Sequence, residues 1–259
     1  MVERFLYTED VEGSSPSPPT MELAPQIVYE DNSIIVINKP SGLITHQKNI
    51  TDQQQSVVDW VIKNYPELKD IGEPFIASGS EVPRAGVVHR LDKDTSGLLL
   101  IAKNNETFSY LKDLFQTRKI KKHYLALING KLKKPKGIIS SPLGRIGMKR
   151  TTKIIGSKLI DEKEAETEYK TVKDLGNFTL VELIPKTGRT HQLRVHLNSI
   201  GHPIAGDPIY GFKKLAPPPQ LKRLFLHAYK LELTSQDGKA IIIEADLPEE
   251  LQKVLNMLK

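Results

Sequence analysis

The stretch "VVHRLDKDTSGLLLIAKN", residues 87–104, opens and closes on apolar runs and packs His89, Arg90, Asp92, Lys93 and Asp94 between them. It reads as a strand, a polar turn and a second strand, "GLLLIAK". In extended chain Arg90 and Asp92 share one face, while His89 and Leu91 face the other way. Thr95 and Ser96 offer hydroxyls and Gly97 a permissive backbone. Asp92 is therefore either a turn-forming residue or a carboxylate pressed inward between two apolar walls.

Working outward, most of the chain reads as strands. Ordered structure is expected from about residue 25, with a buried strand at Ile34–Ile37 and a turn at "NKPSG". A helix follows at "SVVDWVIKNY", with Ser56 as N-cap candidate and Pro66 just beyond its end. Residues 66–86 read as a connection. "NNETFSYLKDLFQTRK" places Phe108, Leu111, Leu114 and Phe115 on one helical stripe. "HYLALING" is a strand. "EAETEYKTVKDL" and "FTLVELIP" pair through Gly176-Asn177, and "LFLHAYKLELTS" and "KAIIIEADLP" through Asp237-Gly238. "RTHQLRVHLNSIG" is a helix with Gly201 at its end, and "PEELQKVLNMLK" a terminal helix. Repeated hairpins with irregular helices predict an α+β fold with a mixed, largely antiparallel sheet. Residues 1–24 are expected to be a flexible leader and residues 25–259 one domain.

The chain has 259 residues, no cysteine and a net charge of +6. Disulfides and Cys-based zinc sites are thereby excluded, and a reducing, cytoplasmic compartment is expected. No apolar stretch approaches the roughly 20 residues that cross a bilayer, and the N-terminus lacks the apolar core of a secretory signal. The charge is unevenly placed. Leu114–Ile160 holds 13 Lys or Arg and no acid, which leaves the remainder at 24 basic against 31 acidic residues, a net of −7. Such a segment suits a polyanion, nucleic acid first; the plainer reading is a solvated basic surface. The segment from Lys131 to Ile160 is expected to be loop-rich.

Two further clusters could carry chemistry. In "PKTGRTHQLRVHLNSIGHPIAGDPIYG", residues 185–211, Gly188 permits a sharp turn into a helix starting near Thr190. His191, Arg194 and Asn198 then share a face, with Leu193, Leu197 and Ile200 on a buried stripe. An Arg-bearing polar face suits anions and carboxylates, or is simply solvated. His191, His196 and His202 are poorly spaced for one metal, and no acid is expected nearby. In "RKIKKHYLAL", cations precede Tyr124, whose ring could stack on a base, exchange a proton, or anchor a sheet edge. No Walker loop or dinucleotide fingerprint is present, so use of ATP or NAD is not expected.

Together these stretches resemble the RluA-type family of pseudouridine synthases. "HRLDKDTSG" is similar to its catalytic-loop signature, "KKHYLAL" to its tyrosine motif and "GRTHQLRVHL…GHPIAGDPIYG" to its arginine motif. "VINKPSGL", "EAETEY" and "LHA" fit in the same order. The resemblance spans roughly residues 25–250 and implies the pseudouridine synthase catalytic fold, with an active-site cleft across the sheet and no metal or organic cofactor. It implies that Asp92 is the essential aspartate, Tyr124 the tyrosine that packs on the target base, and Arg194 the arginine paired with Asp92. Arg90 would fill the space left by a flipped-out nucleotide. RNA contacts are expected at His89, Arg90, Thr95, Arg118, Lys119, Lys121, Lys122, Arg145, Arg189 and His191. The leader is expected to be too short for the S4 RNA-binding domain of many relatives. A cytoplasmic, monomeric isomerase acting on large-subunit ribosomal RNA, or on transfer RNA, follows as the expectation. The rivals are a non-catalytic RNA-binding or ribosome-assembly protein on the same scaffold and a hydrolytic nucleoside glycosidase.

Overall fold

The computed structural model describes residues 23–47, 54–77, 79–146, 149–152, 160–212, 214 and 216–258. All but the last two residues of the expected leader, 1–24, lie outside them. Four segments lie inside the main sheet, β2 (Ile34–Lys39), β5 (Ser96–Ala102), β6 (Lys121–Asn129) and β13 (Leu226–Thr234), with the exposed β1 (Gln26–Glu30) at its edge. With β7 (Lys136–Ser140), β11 (Glu166–Leu175), β12 (Phe178–Pro185) and β14 (Ala240–Glu244) they form a nine-stranded sheet. Its order is β1-β2-β5-β13-β6-β12-β11-β7, with β14 on β13. Every neighbouring pair is antiparallel except β5 and β13. The expected mixed, largely antiparallel α+β sheet is what is found.

The unbroken apolar runs of β2 and β5 follow from burial on both faces, where period-2 alternation has no polar side to show. Ile35, Ile37, Leu99 and Ile101 point into one core, with α1 (Val57–Asn64) and α4 (Glu249–Met257). Ile34, Val36, Leu98 and Leu100 point into the other, against Phe108, Leu111 and Leu114 of α2 (Asn105–Gln116). Ser56 caps α1 by a reciprocal box with Asp59, and Asn104 caps α2 through the Thr107 amide.

Three expectations are corrected. Residues 66–86 contain a 3-10 turn (Pro66–Leu68) and a small hairpin, β3 (Phe75–Ala77) with β4 (Ser80–Val82). The described residues of the basic segment are mostly strand rather than loop, giving β7, β8 (Leu143–Ile146) and β9 (Lys149–Thr152), and Ile160 opens β10 (Ile160–Lys163). The last three make a separate sheet, ordered β10-β8-β9. Charge misled there because a strand can send lysines to solvent while β-branched residues keep the pleat. The third correction is the opening stretch itself. Only Val87 bridges to Ile101, and residues 88–95 form an irregular loop entering β5.

Gly97 fixes where that loop is tethered. It pairs with Ala228 in the single parallel contact of the sheet, at φ +121°. An added Cβ would lie 2.2 Å from the Ala228 carbonyl oxygen. Gly97→Ala should therefore destabilise the fold by about 3 kcal/mol or more, through backbone clash and strain together. Urea unfolding would measure it; a loss below about 1 kcal/mol would mean that β5 and β13 separate without consequence.

Candidate active site

The loop before β5 is held by the segment after β2. The fully buried ammonium of Lys39 donates to the carbonyls of Pro40, Leu43 and Lys93 at 2.9, 2.7 and 3.1 Å. Burial pushes its pKa down to about 7, while Asp92 and Asp94 act in the opposite direction. The Gly42 amide also donates to the Lys93 carbonyl at 2.8 Å. The Ser41 hydroxyl donates to the Asp94 carbonyl at 2.8 Å, and Thr45 Oγ1 to that of Leu91 at 2.8 Å. From the other side, Arg223 donates to the Asp94 carbonyl at 3.4 Å and to Ser96 Oγ at 2.8 Å. With its backbone tied at residues 91, 93 and 94, Asp92 retains freedom mainly in its side chain.

That side chain faces a cavity of about 530 Å³, within the range of small-molecule sites. Its walls come from loop 88–95, the end of α2, the start of β6 and residues 185–194. Asp92, Tyr124 and Arg194, far apart in sequence, all line it. Of the expected RNA contacts, His89, Arg90, Thr95, Arg118, Lys122, Arg189 and His191 also line it. Lys119, Lys121 and Arg145 do not: Lys121 pairs with Glu232 at 3.6 Å, and Arg145 pairs with Asp161.

The principal partner of Arg194 is not Asp92. Arg194 Nε and Nη2 donate to Asp207 Oδ2 and Oδ1 at 2.8 and 2.7 Å. Asp207 Oδ1 also accepts the amides of Ile209 and Tyr210, both at 2.9 Å. The remaining terminal nitrogen, Nη1, lies 4.0 Å from Asp92 Oδ2. A planar guanidinium divides in this way because its donors lie in a fixed fork. Burial opposes the Arg194 charge, but the bond to Asp207 and the charges of Asp207 and Asp92 raise its pKa overall. Burial likewise opposes the Asp207 carboxylate, and Arg194 with the two amides lowers its pKa overall. Asp207 is thus the acid that was not expected near the histidines; it stands in "GDPIYG", at the tail of the arginine motif, whose spacing does not show what it meets. Among the described residues, no group of three or more His, Cys, Asp or Glu is arranged to hold a metal.

The helix α3 spans Gln192–Ser199, starting two residues later than expected. His191 lies outside it, in a left-handed conformation at φ +57°. It therefore reaches Asp92 by a backbone turn and not by the helical spacing of the sequence reading. Its Nε2 lies 3.9 Å from Asp92 Oδ2, and its Nδ1 meets the Tyr210 hydroxyl at 2.9 Å. Burial lowers its pKa, partly offset by the Asp92 charge. Two other polar side chains of α3, Gln192 and His196, act as buried brackets. Gln192 bonds Thr187, the Arg189 amide, Thr167 and the Glu166 carbonyl. His196 bonds Thr167 and the Ser141 carbonyl. Ile200, expected to be buried, is exposed at 38%, because α3 ends there.

Tyr124 sits in β6 between Leu183 of β12 and Ala228 of β13. Burial, then the Asp92 charge, raises its phenol pKa well above the ordinary value. His89 turns away from Asp92. Its ring stacks on Phe115 at 4.5 Å, and its Nε2 accepts the Leu100 amide at 2.9 Å. Burial, reinforced by Lys122, pushes its pKa down to about 3. His89 is a neutral wall of the cavity whose Nε2 is already engaged. Arg90 is exposed at the mouth.

Comparison with known proteins gives this arrangement a context. The pattern of the RNA pseudouridylate synthase family matches residues 33–199. The chain is 39% identical over 242 residues to ribosomal large subunit pseudouridine synthase D of Nitrosomonas europaea, covering 90% of this chain and 65% of that protein. It is 37% identical over 244 residues to the Haemophilus influenzae protein of the same name, covering 90% and 70%. Against the like-named Borreliella burgdorferi protein the match is 39% identical and spans 60% of that relative. The chain therefore spans less than two thirds of the Nitrosomonas and Borreliella relatives. Among solved structures, human RNA pseudouridylate synthase domain containing 4 superposes with a TM-score of 0.71 at 26% identity, covering 90% of this chain and 92% of that one.

Proposed function

The chain belongs to the RNA pseudouridylate synthase family, and from that premise we propose that it isomerises uridine to pseudouridine in RNA, through Asp92. The observation that carries the proposal is the meeting of Asp92, Tyr124 and an Arg194 locked by Asp207 around one cavity. Isomerisation breaks the N1–C1′ bond, turns the uracil ring and forms a C5–C1′ bond; the C5 proton leaves and N1 regains one. Asp92 attacks C1′, adds to the pyrimidine ring, or removes a sugar proton. Each route requires its carboxylate form. The reacting atoms lie inside a base stack, so the nucleotide is flipped out at a cost of a few kcal/mol. Arg90, exposed at the mouth, is suited to fill the gap, since guanidinium both stacks and donates hydrogen bonds.

Tyr124 is assigned to the uracil ring and its C5 proton. A phenol held protonated can take up that proton only by passing on its own. Tyr124→Phe should lower kcat by about 10²–10⁴, the usual range for a placed acid-base group, and change KM less than about threefold. A nearly silent Phe variant would leave the ring with packing alone.

The relatives' names point to large-subunit ribosomal RNA, and we place the substrate there, with transfer RNA as the second candidate. Release of tritium from C5-tritiated RNA tests the activity. Isomerase gives tritium in water and no free base. Free uracil would identify a glycosidase, and binding without release a non-catalytic RNA-binding protein. Mapping pseudouridine in total RNA from cells with and without the gene assigns the site. Among the described residues no helix is long and apolar enough to cross a membrane. A cytoplasmic, monomeric enzyme is part of the same reading.

A further inference from the structure

One end of the cavity carries charge that the chemistry at Asp92 does not use. Lys122 lies two residues before Tyr124 in β6, so both point to the same face of the sheet. Lys122 lines the cavity, half-buried, with Nζ 5.9 Å from the centre of the Phe115 ring. Gly188 closes over it: a Cβ there would stand 3.7 Å from Nζ. Two neighbouring cations are matched, Lys121 with Glu232 and Lys186 with Glu168 at 3.0 Å. Lys122 has no such acid among the described residues, and its pKa is lowered by burial alone. A half-buried ammonium without a counter-charge suits an anionic ligand.

Arg118 supplies the second observation. The helix α2 ends in a Schellman arrangement. The Lys119 amide donates to the Leu114 carbonyl at 2.8 Å, and the Arg118 amide to that of Phe115 at 3.3 Å. Arg118 thereby occupies the left-handed position that favours glycine, at φ +61°. It holds a strained backbone, and its side chain lines the same cavity as Lys122. Strain retained at a cavity wall points to a use for the side chain.

We propose that Arg118 and Lys122 form a two-cation subsite for one backbone phosphate of the RNA, at the α2 end of the cavity and apart from Asp92. The subsite rests on the RNA-modifying reading above. It holds a charge present before and after reaction, and so governs binding and not the chemical step.

The test uses C5-tritiated RNA from cells lacking the gene. Lys122→Met and Arg118→Gly should each raise KM about 5- to 20-fold and change kcat less than about threefold. Each should also flatten the salt dependence of binding by roughly 0.7 in the log–log slope, the share of one single-strand phosphate. The double variant should lose no more slope than either single one, because both cations hold the same group. Lys122→Arg should restore KM. Arg118→Gly should raise Tm by about 2–4 °C while it weakens binding, which a merely structural arginine would not do. A fall in kcat at unchanged KM would overturn the proposal and move these cations to the departing uracil. Unchanged salt slopes, or no gain in Tm for Arg118→Gly, would also overturn it. If the wild-type protein releases no tritium, the isomerase reading fails separately. Anisotropy with a fluorescent single-stranded oligouridylate then decides: Lys122→Met must lower affinity and slope, and equal binding overturns the subsite.

Discussion

Asp92→Asn should abolish tritium release while RNA affinity stays within a few-fold of wild type and the fold is retained. Asparagine keeps the shape of the side chain and the backbone bonds of the loop. Those bonds run through Lys39, Ser41, Thr45 and Arg223 to residues 91, 93 and 94, and none requires the Asp92 carboxylate. What is lost is the anion that each route at C1′, at the ring or at the sugar needs. Its attraction to Arg194 Nη1 at 4.0 Å amounts to about 4 kcal/mol at an effective dielectric near 20. That figure is an upper one, because the Asp92 side chain keeps 19% of its exposure. Comparison of kcat, RNA binding and Tm on one preparation checks the expectation. Appreciable turnover in the Asn variant would remove Asp92 from the chemistry; loss of RNA binding would make it a recognition residue.

Arg194→Met carries the second large effect, and it is double. The residue is 2% exposed, and Asp207 would be left as a buried carboxylate without its cation. Breaking such a pair typically costs 3–5 kcal/mol, roughly 6–20 °C in Tm for a chain of this size. Activity should vanish as well, because Asp92 loses the cation facing it. The two losses separate in a second variant. Arg194→Met with Asp207→Asn removes both buried charges, keeps an Oδ1 to accept the Ile209 and Tyr210 amides, and should recover most of the stability, since the cost lies in the unpaired buried carboxylate. It should recover none of the turnover. Thermal unfolding and tritium release measure the two quantities independently. Turnover regained along with stability would make Arg194 a purely structural residue.

The Asp207 pairing also marks where sequence reading stopped. Asp92 and Tyr124 stood out because each sits in a short, ordered motif that resembles a known family. Arg194 was legible for the same reason, and it does face Asp92 at 4.0 Å, but its second and closer partner, Asp207, was not foreseen. Asp207 lies 13 residues beyond Arg194, past the end of α3, and no helical or strand period connects the two. The placement of His191 failed for a related reason. The spacing argument put it on the helix, whereas a left-handed turn carries it to Asp92. Arg145, Lys119 and Lys121, expected as RNA contacts, lie outside the cavity. In space each strand sends alternate residues away, and two of the three find acids of their own.

The sequence alone settled the α+β class, most of the helices and main-sheet strands, and the chemical inventory. Apolar periods, caps and hairpin turns are local, so they specify strands and helices without knowledge of what they meet. The motifs likewise named the carboxylate, the phenol and the guanidinium. Tertiary structure decided the couplings: a guanidinium shared between two acids, a lysine saturated by three carbonyls, a parallel contact that admits only glycine at position 97. These depend on which distant segments approach within about 4 Å, and on how burial weights each charge once water is excluded. Neither quantity is a property of any stretch of chain read by itself.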